Sequence, residues 1–188
     1  MSVMAKSFSE RVGTQLGILA SYVVFTGLVT TEAYYSVFGI RYQTLQFPPA
    51  HILYRGITII AGDLFMALPL FLAICWIVAG DAEPNGTRWR AAVRTLLMAV
   101  VALLIIGLTY RLSVHAGVAA GQRDALGMTS SLPRVETITG STVRAGDAIL
   151  WLDEREMIAF TPVTNASAVP VMKRILRSEI HDFSFTRP

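Results

Sequence analysis

The chain is short of charge, nearly without cysteine, and carries no signature of enzyme chemistry. Each shortage excludes something. Only 15% of its residues are charged, against about 25% in ordinary soluble domains, so a water-facing surface of normal size cannot be assembled from it. Its single cysteine, Cys75, rules out an intrachain disulfide and a cysteine-based metal site, and reads as a small packing residue. Histidine occurs only at 51, 115 and 181, with no His-x-x-x-His pair. A phosphate-binding glycine loop, a Gly-x-Ser-x-Gly elbow and a dinucleotide fingerprint are also missing. No catalytic residue, no metal site and no cofactor are therefore expected. After Ala116 the chain has eight Lys or Arg and eight Asp or Glu, so the formal charge of +3 comes from the earlier part. Nucleic-acid binding needs a concentrated basic surface, and none is present.

Apolar sequence is abundant, and it comes in three runs. Val12 to Thr31 is twenty residues without a charge, about 30 Å as a helix and enough to cross the hydrocarbon core of a bilayer. Gly56 to Gly80, broken only by Asp63, and Thr95 to Tyr110 follow. The first run exceeds a signal-peptide core and lacks a small-x-small cleavage box, so it reads as a retained helix. The expected architecture is a membrane α-helical bundle of three transmembrane helices (about 12–38, 51–79 and 89–120) behind a polar arm, residues 1–11. Gly39 is a stop signal for the first helix. Pro48-Pro49 forces an extended entry into the second, where Pro69 adds a kink. Residues 121–132 read as a linker, and Asn85-Gly86-Thr87 as a turn.

From residue 133 the pattern changes to short β-branched and aromatic stretches between Gly, Asp and Asn clusters. Strands are expected at Val135–Thr139, Ala148–Leu152, Met157–Thr161, Val169–Met172 and Ile180–Phe185. Gly140-Ser141 and Gly146-Asp147 read as turns, and Asp153-Glu154-Arg155-Glu156 as a solvated hairpin tip. Alternation puts His181 and Asp182 on opposite sheet faces, where they cannot cooperate. Five strands in residues 133–188 suggest a small all-β domain, SH3-like or otherwise barrelled. So small a core needs support from the membrane part or from another copy.

Three ionisable residues, Glu32, Asp63 and Arg111, interrupt the apolar runs toward one leaflet. Ionisable groups within a span face protein or water rather than lipid. Three readings apply: solvation at the headgroups with Arg111 snorkelling, an ion cluster that fixes helix register, or a conducting path. Gly13, Gly17 and Ser21 form a small-xxx-small series suited to close helix packing, and Gly56 and Ala67 form a comparable stripe on the second helix. Lys173, Arg174 and Arg177 read as a basic loop between the last two strands, able to contact anionic lipid headgroups.

Lys6, Arg11, Arg88, Arg90 and Arg94 on one side outnumber Arg41, Arg55, Arg111 and Arg123 on the other. By one charge, the positive-inside rule puts the N-terminus in the cytoplasm and the β domain in the periplasm. The functional expectation is a non-enzymatic, oligomeric bacterial inner-membrane protein. Its partners are the bilayer, copies of itself and another protein, and its β domain senses a ligand or docks a partner subunit. A channel or pore-forming effector lined by Glu32 and Asp63 is the alternative. A few helices joined to a small β module resemble, in layout alone, membrane subunits of bacterial phage-defence systems and some secretion-immunity proteins.

Overall fold

The computed structural model describes residues 2–45, 47–63, 65–68, 71, 88–127, 132–139, 142–165, 168–180 and 183–186. Cys75, Pro69, Asn85-Gly86-Thr87, Gly140-Ser141, His181-Asp182 and the second apolar run beyond Phe71 lie outside the described residues. Three long helices and five strands are described: α1 (Ser2–Ser36), α2 (Pro49–Gly62), α3 (Arg88–Leu126), β1 (Arg134–Ile138), β2 (Ala148–Leu152), β3 (Glu156–Thr161), β4 (Val171–Leu176) and β5 (Phe183–Thr186). They fall into two compact units. The first holds Met1–Glu32 and Leu45–Gly117, the second Ala33–Thr44 and Val118–Pro188.

In the first unit, proline starts α2 where the sequence requires it. Pro48 is extended (φ −62°, ψ 139°) and Pro49 takes the first helical position, where a missing N–H costs nothing. The helix then stops early. Asp63 is extended (φ −132°, ψ 112°), its Oδ1 accepts the Phe65 N–H at 2.8 Å, and its carbonyl accepts the N–H groups of Met66 and Ala67. Residues 65–68 are helical again. The expected continuous helix is therefore cut at Asp63. Its carboxylate competes for backbone donors and makes it a better helix cap than a helix interior residue.

The pair α1–α2 is held by two glycines. A Cβ on Gly27 would run into the Ile52 carbonyl and stand 3.1 Å from the Gly56 nitrogen, and a Cβ on Gly56 would run into the Val23 carbonyl. Glycine at both positions lets the two backbones meet. Tyr22 of α1 donates its hydroxyl to the Met66 carbonyl at 2.8 Å, which ties α1 to the chain just past the break at Asp63.

In the second unit, α1 ends as its glycine predicts. Gly39 has φ +70°, and the Ile40 N–H reaches back to the Tyr35 carbonyl at 3.1 Å, the closure that a left-handed residue permits. At the other end of the unit, α3 continues through Gly121 to Leu126, six residues into the stretch read as linker. Alanines at 116, 119, 120 and 125 sustain it, and Gly127 (φ +65°) stops it.

The strands form one antiparallel sheet in the order β4-β3-β2-β1-β5. The sheet is open, which corrects the expected barrel: β4 and β5 are edges, and among the described residues no ladder joins them. Register shifts between Val135 and Thr137 and between Ile149 and Trp151 bend it, without closing it. One face carries the core Val135, Val143, Ile149, Met157, Ala159 and Ile175. The other is covered by the unit's own helix end, where Phe38 packs on Phe160 at 4.9 Å. Tyr34, tilted on Phe38 at 5.4 Å, donates to Asp124 Oδ2 at 2.6 Å, and the Val163 N–H bonds the Ala125 carbonyl. Both faces of β3 are thus shut, and Glu156 through Phe160 are all buried.

Candidate functional site

The charged residues of the helical unit stand apart. Glu32 and Arg111 are exposed, and Asp63 is half-buried with its carboxylate occupied as a cap. Among the described residues no ion pair joins any two of the three. Of the small residues expected at helix contacts, a Cβ on Gly13 or Gly17 would meet nothing within 4 Å, Ser21 is exposed and Ala67 half-buried. Gly56 sits in the α1–α2 crossing, and its partner there, Gly27, was not anticipated. Gly27 has Val23 four positions before it and only the β-branched Thr31 four after, a weaker spacing signal than Gly13 and Gly17 give.

The basic residues assigned to a loop belong elsewhere. Lys173 and Arg174 lie inside β4, because Val171–Leu176 pairs residue for residue with β3, and only Arg177 falls in the short 3-10 turn that follows. Arg174 is paired with Glu156, so Glu156 is an anchored strand residue rather than part of a solvated tip. The tip is formed by Asp153, whose Oδ1 accepts the N–H groups of Arg155 and Glu156 at 2.8 and 2.7 Å. Those two bonds hold its carboxyl below the ordinary aspartate value.

The most elaborate arrangement is built around Asp147. A positive φ at Gly146 (+92°) turns the chain so that Asp147 points under the sheet, where its side chain is 3% exposed. Oδ1 accepts the Thr161 hydroxyl at 2.8 Å. Oδ2 accepts the Arg144 N–H at 2.9 Å and the Lys173 ammonium at 2.5 Å. Burial alone would push this carboxyl up, but the bonds from Lys173, Arg144 and Thr161 outweigh it and hold the value below the ordinary aspartate figure. Three strands and a turn meet here: Asp147 precedes β2, Thr161 ends β3 and Lys173 lies on β4. In the sequence Asp147 reads as a turn residue and Lys173 as a loop charge, since their pairing spans 26 positions and has no local signal.

The β unit also has an apolar groove of about 200 Å³, lined by Leu132, Pro133, Leu150, Trp151, Leu152 and Phe185 among others. Its lining suits an apolar side chain or ligand rather than a charged one. Among the described residues no three His, Cys, Asp or Glu side chains are grouped closely enough to hold a metal ion. In the helices, Leu16–Ser36 and Thr95–Leu126 are long and apolar enough to cross a membrane. No protein-family model matches the chain, nor does any curated protein or solved structure.

Proposed function

We propose that the chain is a non-enzymatic, oligomeric bacterial inner-membrane protein. In this reading it crosses the bilayer three times and presents its β unit in the periplasm, where the apolar groove receives a ligand or a partner subunit. One observation carries the membrane assignment. Only 11% of the most apolar 18-residue stretch within Thr95–Leu126 is buried, and Leu96, Leu97, Leu103, Leu104 and Ile106 are all more than half exposed. So large an apolar surface needs hydrocarbon around it. The glycine-closed helix pair and the two-sided sheet core support a rigid anchor carrying a folded module.

The test is topological. In a Cys75→Ser background, Ser7→Cys should resist a membrane-impermeant maleimide in spheroplasts until the membrane is opened, while Ser178→Cys should react at once. Equal labelling of both positions would mean an even number of crossings and end this reading.

A second reading, a membrane-bound hydrolase, is favoured by the reach of Lys173. From β4 its side chain crosses β3, where its ladder partner is the small Ala159, to Asp147. The Asp147 carbonyl in turn accepts the Val135 N–H at the beginning of β1. Ser130 and Ser131, outside the described residues, stand directly before Leu132 in the sequence. A serine hydroxyl and a lysine amine that has given up its proton form a nucleophile–base pair. On this reading a fluorophosphonate probe labels the purified protein, Ser130→Ala or Ser131→Ala removes the label, Lys173→Ala removes it too, and Arg177→Ser leaves it. Absence of labelling in the unmodified chain sinks the hydrolase.

A further inference from the structure

Hydroxyl side chains inside the helical unit mostly satisfy themselves. Thr30 donates to the Thr26 carbonyl, Thr31 to the Gly27 carbonyl and Thr109 to the Ile105 carbonyl, each one turn back. This is the usual solution for a hydroxyl on a helix with no water at hand. Two residues depart from it. Thr26 and Ser113 are both completely buried, yet neither Thr26 Oγ1 nor Ser113 Oγ has a hydrogen-bond partner. A buried hydroxyl with no partner calls for a missing one.

The two orphans occupy one level of the α1–α3 contact. That contact is fixed by Tyr22 and Thr109, whose hydroxyl oxygens are 3.4 Å apart. Backwards from it α1 opens to the outside at Ile18 and Leu19, and α3 at Leu103 and Leu104. Forwards both helices are buried, α1 at Thr26 and Thr30 and α3 at Ser113 and Gly117. Burial rising in the same direction along both helices means that they run parallel here. Thr26 and Ser113 are separated by the same 87 residues as Tyr22 and Thr109, so they form the next rung. Tyr22 stands one turn before Thr26 on α1, and its phenol already holds the Met66 carbonyl just past the break at Asp63.

We propose that this rung is a binding site for one small, neutral hydrogen-bonding guest such as water, held by Thr26 Oγ1 and Ser113 Oγ beside the Tyr22–Thr109 pair. The groups around it are hydroxyls, which donate and accept, and a carbonyl, which accepts; none is ionised, so a neutral polar molecule suits the site and an anion does not. Bound there, the guest completes a hydrogen-bonded seam that joins α1, α3 and the interrupted second helix.

The inference concerns the helical unit alone and stands apart from what the β unit binds. Two measurements on the full-length protein in detergent test it with water as the probe. In a thermal double-mutant cycle, Thr26→Val and Ser113→Ala should each lower the midpoint by about 2–4 °C. The double variant should return to within about 1 °C of the unmodified chain, because nothing is then left unpaired. Purely additive losses would overturn the site. A high-resolution map should show density within hydrogen-bonding distance of both hydroxyls that vanishes in the double variant. Hydroxyls bonded to each other, or turned back on the Tyr22 and Thr109 carbonyls with no density between, would overturn it as well.

Discussion

Alanine at Gly27 or Gly56 should destabilise the helical unit by about 3 kcal/mol or more, whereas alanine at Gly107 should stabilise it. All three glycines lie within helices, and glycine there costs about 0.5–1 kcal/mol relative to alanine through backbone entropy. At Gly107 nothing stands within 4 Å of an added Cβ, so only the entropic gain remains. At Gly27 and Gly56 the obstacle is a main-chain carbonyl of the facing helix, not the end of a flexible side chain. The helices must separate, which strips van der Waals contact along the whole crossing and lengthens the Tyr22 to Met66 bond. Overpacking of ordinary cores costs about 1–3 kcal/mol, and a backbone obstacle belongs at or beyond the upper end. Because either substitution already drives the helices apart, the Gly27→Ala/Gly56→Ala double variant should lose less than the two singles together. Thermal unfolding of the full chain in detergent measures all four. A Gly56→Ala variant as stable as the parent would show that the two backbones do not meet.

What the sequence revealed and what it hid follow one physical division. Local signals were legible. Gly39 ends α1, Pro48-Pro49 opens α2 from an extended residue, and Ala148–Leu152 was bounded to the residue as a strand by the Gly146-Asp147 turn before it and the Asp153 cluster after it. Asp63 carried two signals at once. Its charge inside an apolar run stands out in the sequence, whereas its capping chemistry, which decides the local structure, shows only in the bond to the Phe65 N–H. Wherever the answer depended on a distant partner, periodicity was silent. Lys173 and Arg174 look like surface charge until β4 is laid against β3. Gly27 gains meaning only from Gly56. Whether five strands close or stay open depends on the geometry of β4 and β5, which no alternation pattern encodes. The groove and the Asp147 cluster arise from that same long-range pairing, so the candidate site was the least legible part of the chain.

Removing the ammonium from under the sheet should invert the acid behaviour of the β unit. In the parent, Asp147 is held below the ordinary aspartate value of 3.8. A carboxyl depressed on folding contributes stability that is fully present above its unfolded value and is lost as pH falls through the folded one. The parent should therefore be more stable at pH 7 than at pH 3. Lys173→Met keeps the length of the side chain and deletes its charge. Asp147 then remains 3% exposed with one neutral hydroxyl and one N–H as partners. Stranding one member of a buried pair costs about 3–5 kcal/mol, and burial, now less opposed, pushes the carboxyl up. A group raised on folding is favourable while protonated and becomes a burden as pH climbs through its folded value. The variant should lose most of its stability at pH 7, keep more of it near pH 4, and so reverse the parent's order. Adding Asp147→Asn removes the stranded charge and should recover a large part of the loss while flattening the pH dependence. Trp151 reports the transition directly in a background where Trp76 and Trp89 are phenylalanine. If Lys173→Met unfolds with the parent's midpoint and the parent's pH profile, the ammonium does not bear on Asp147, and the bolt between β2, β3 and β4 is not what holds the sheet.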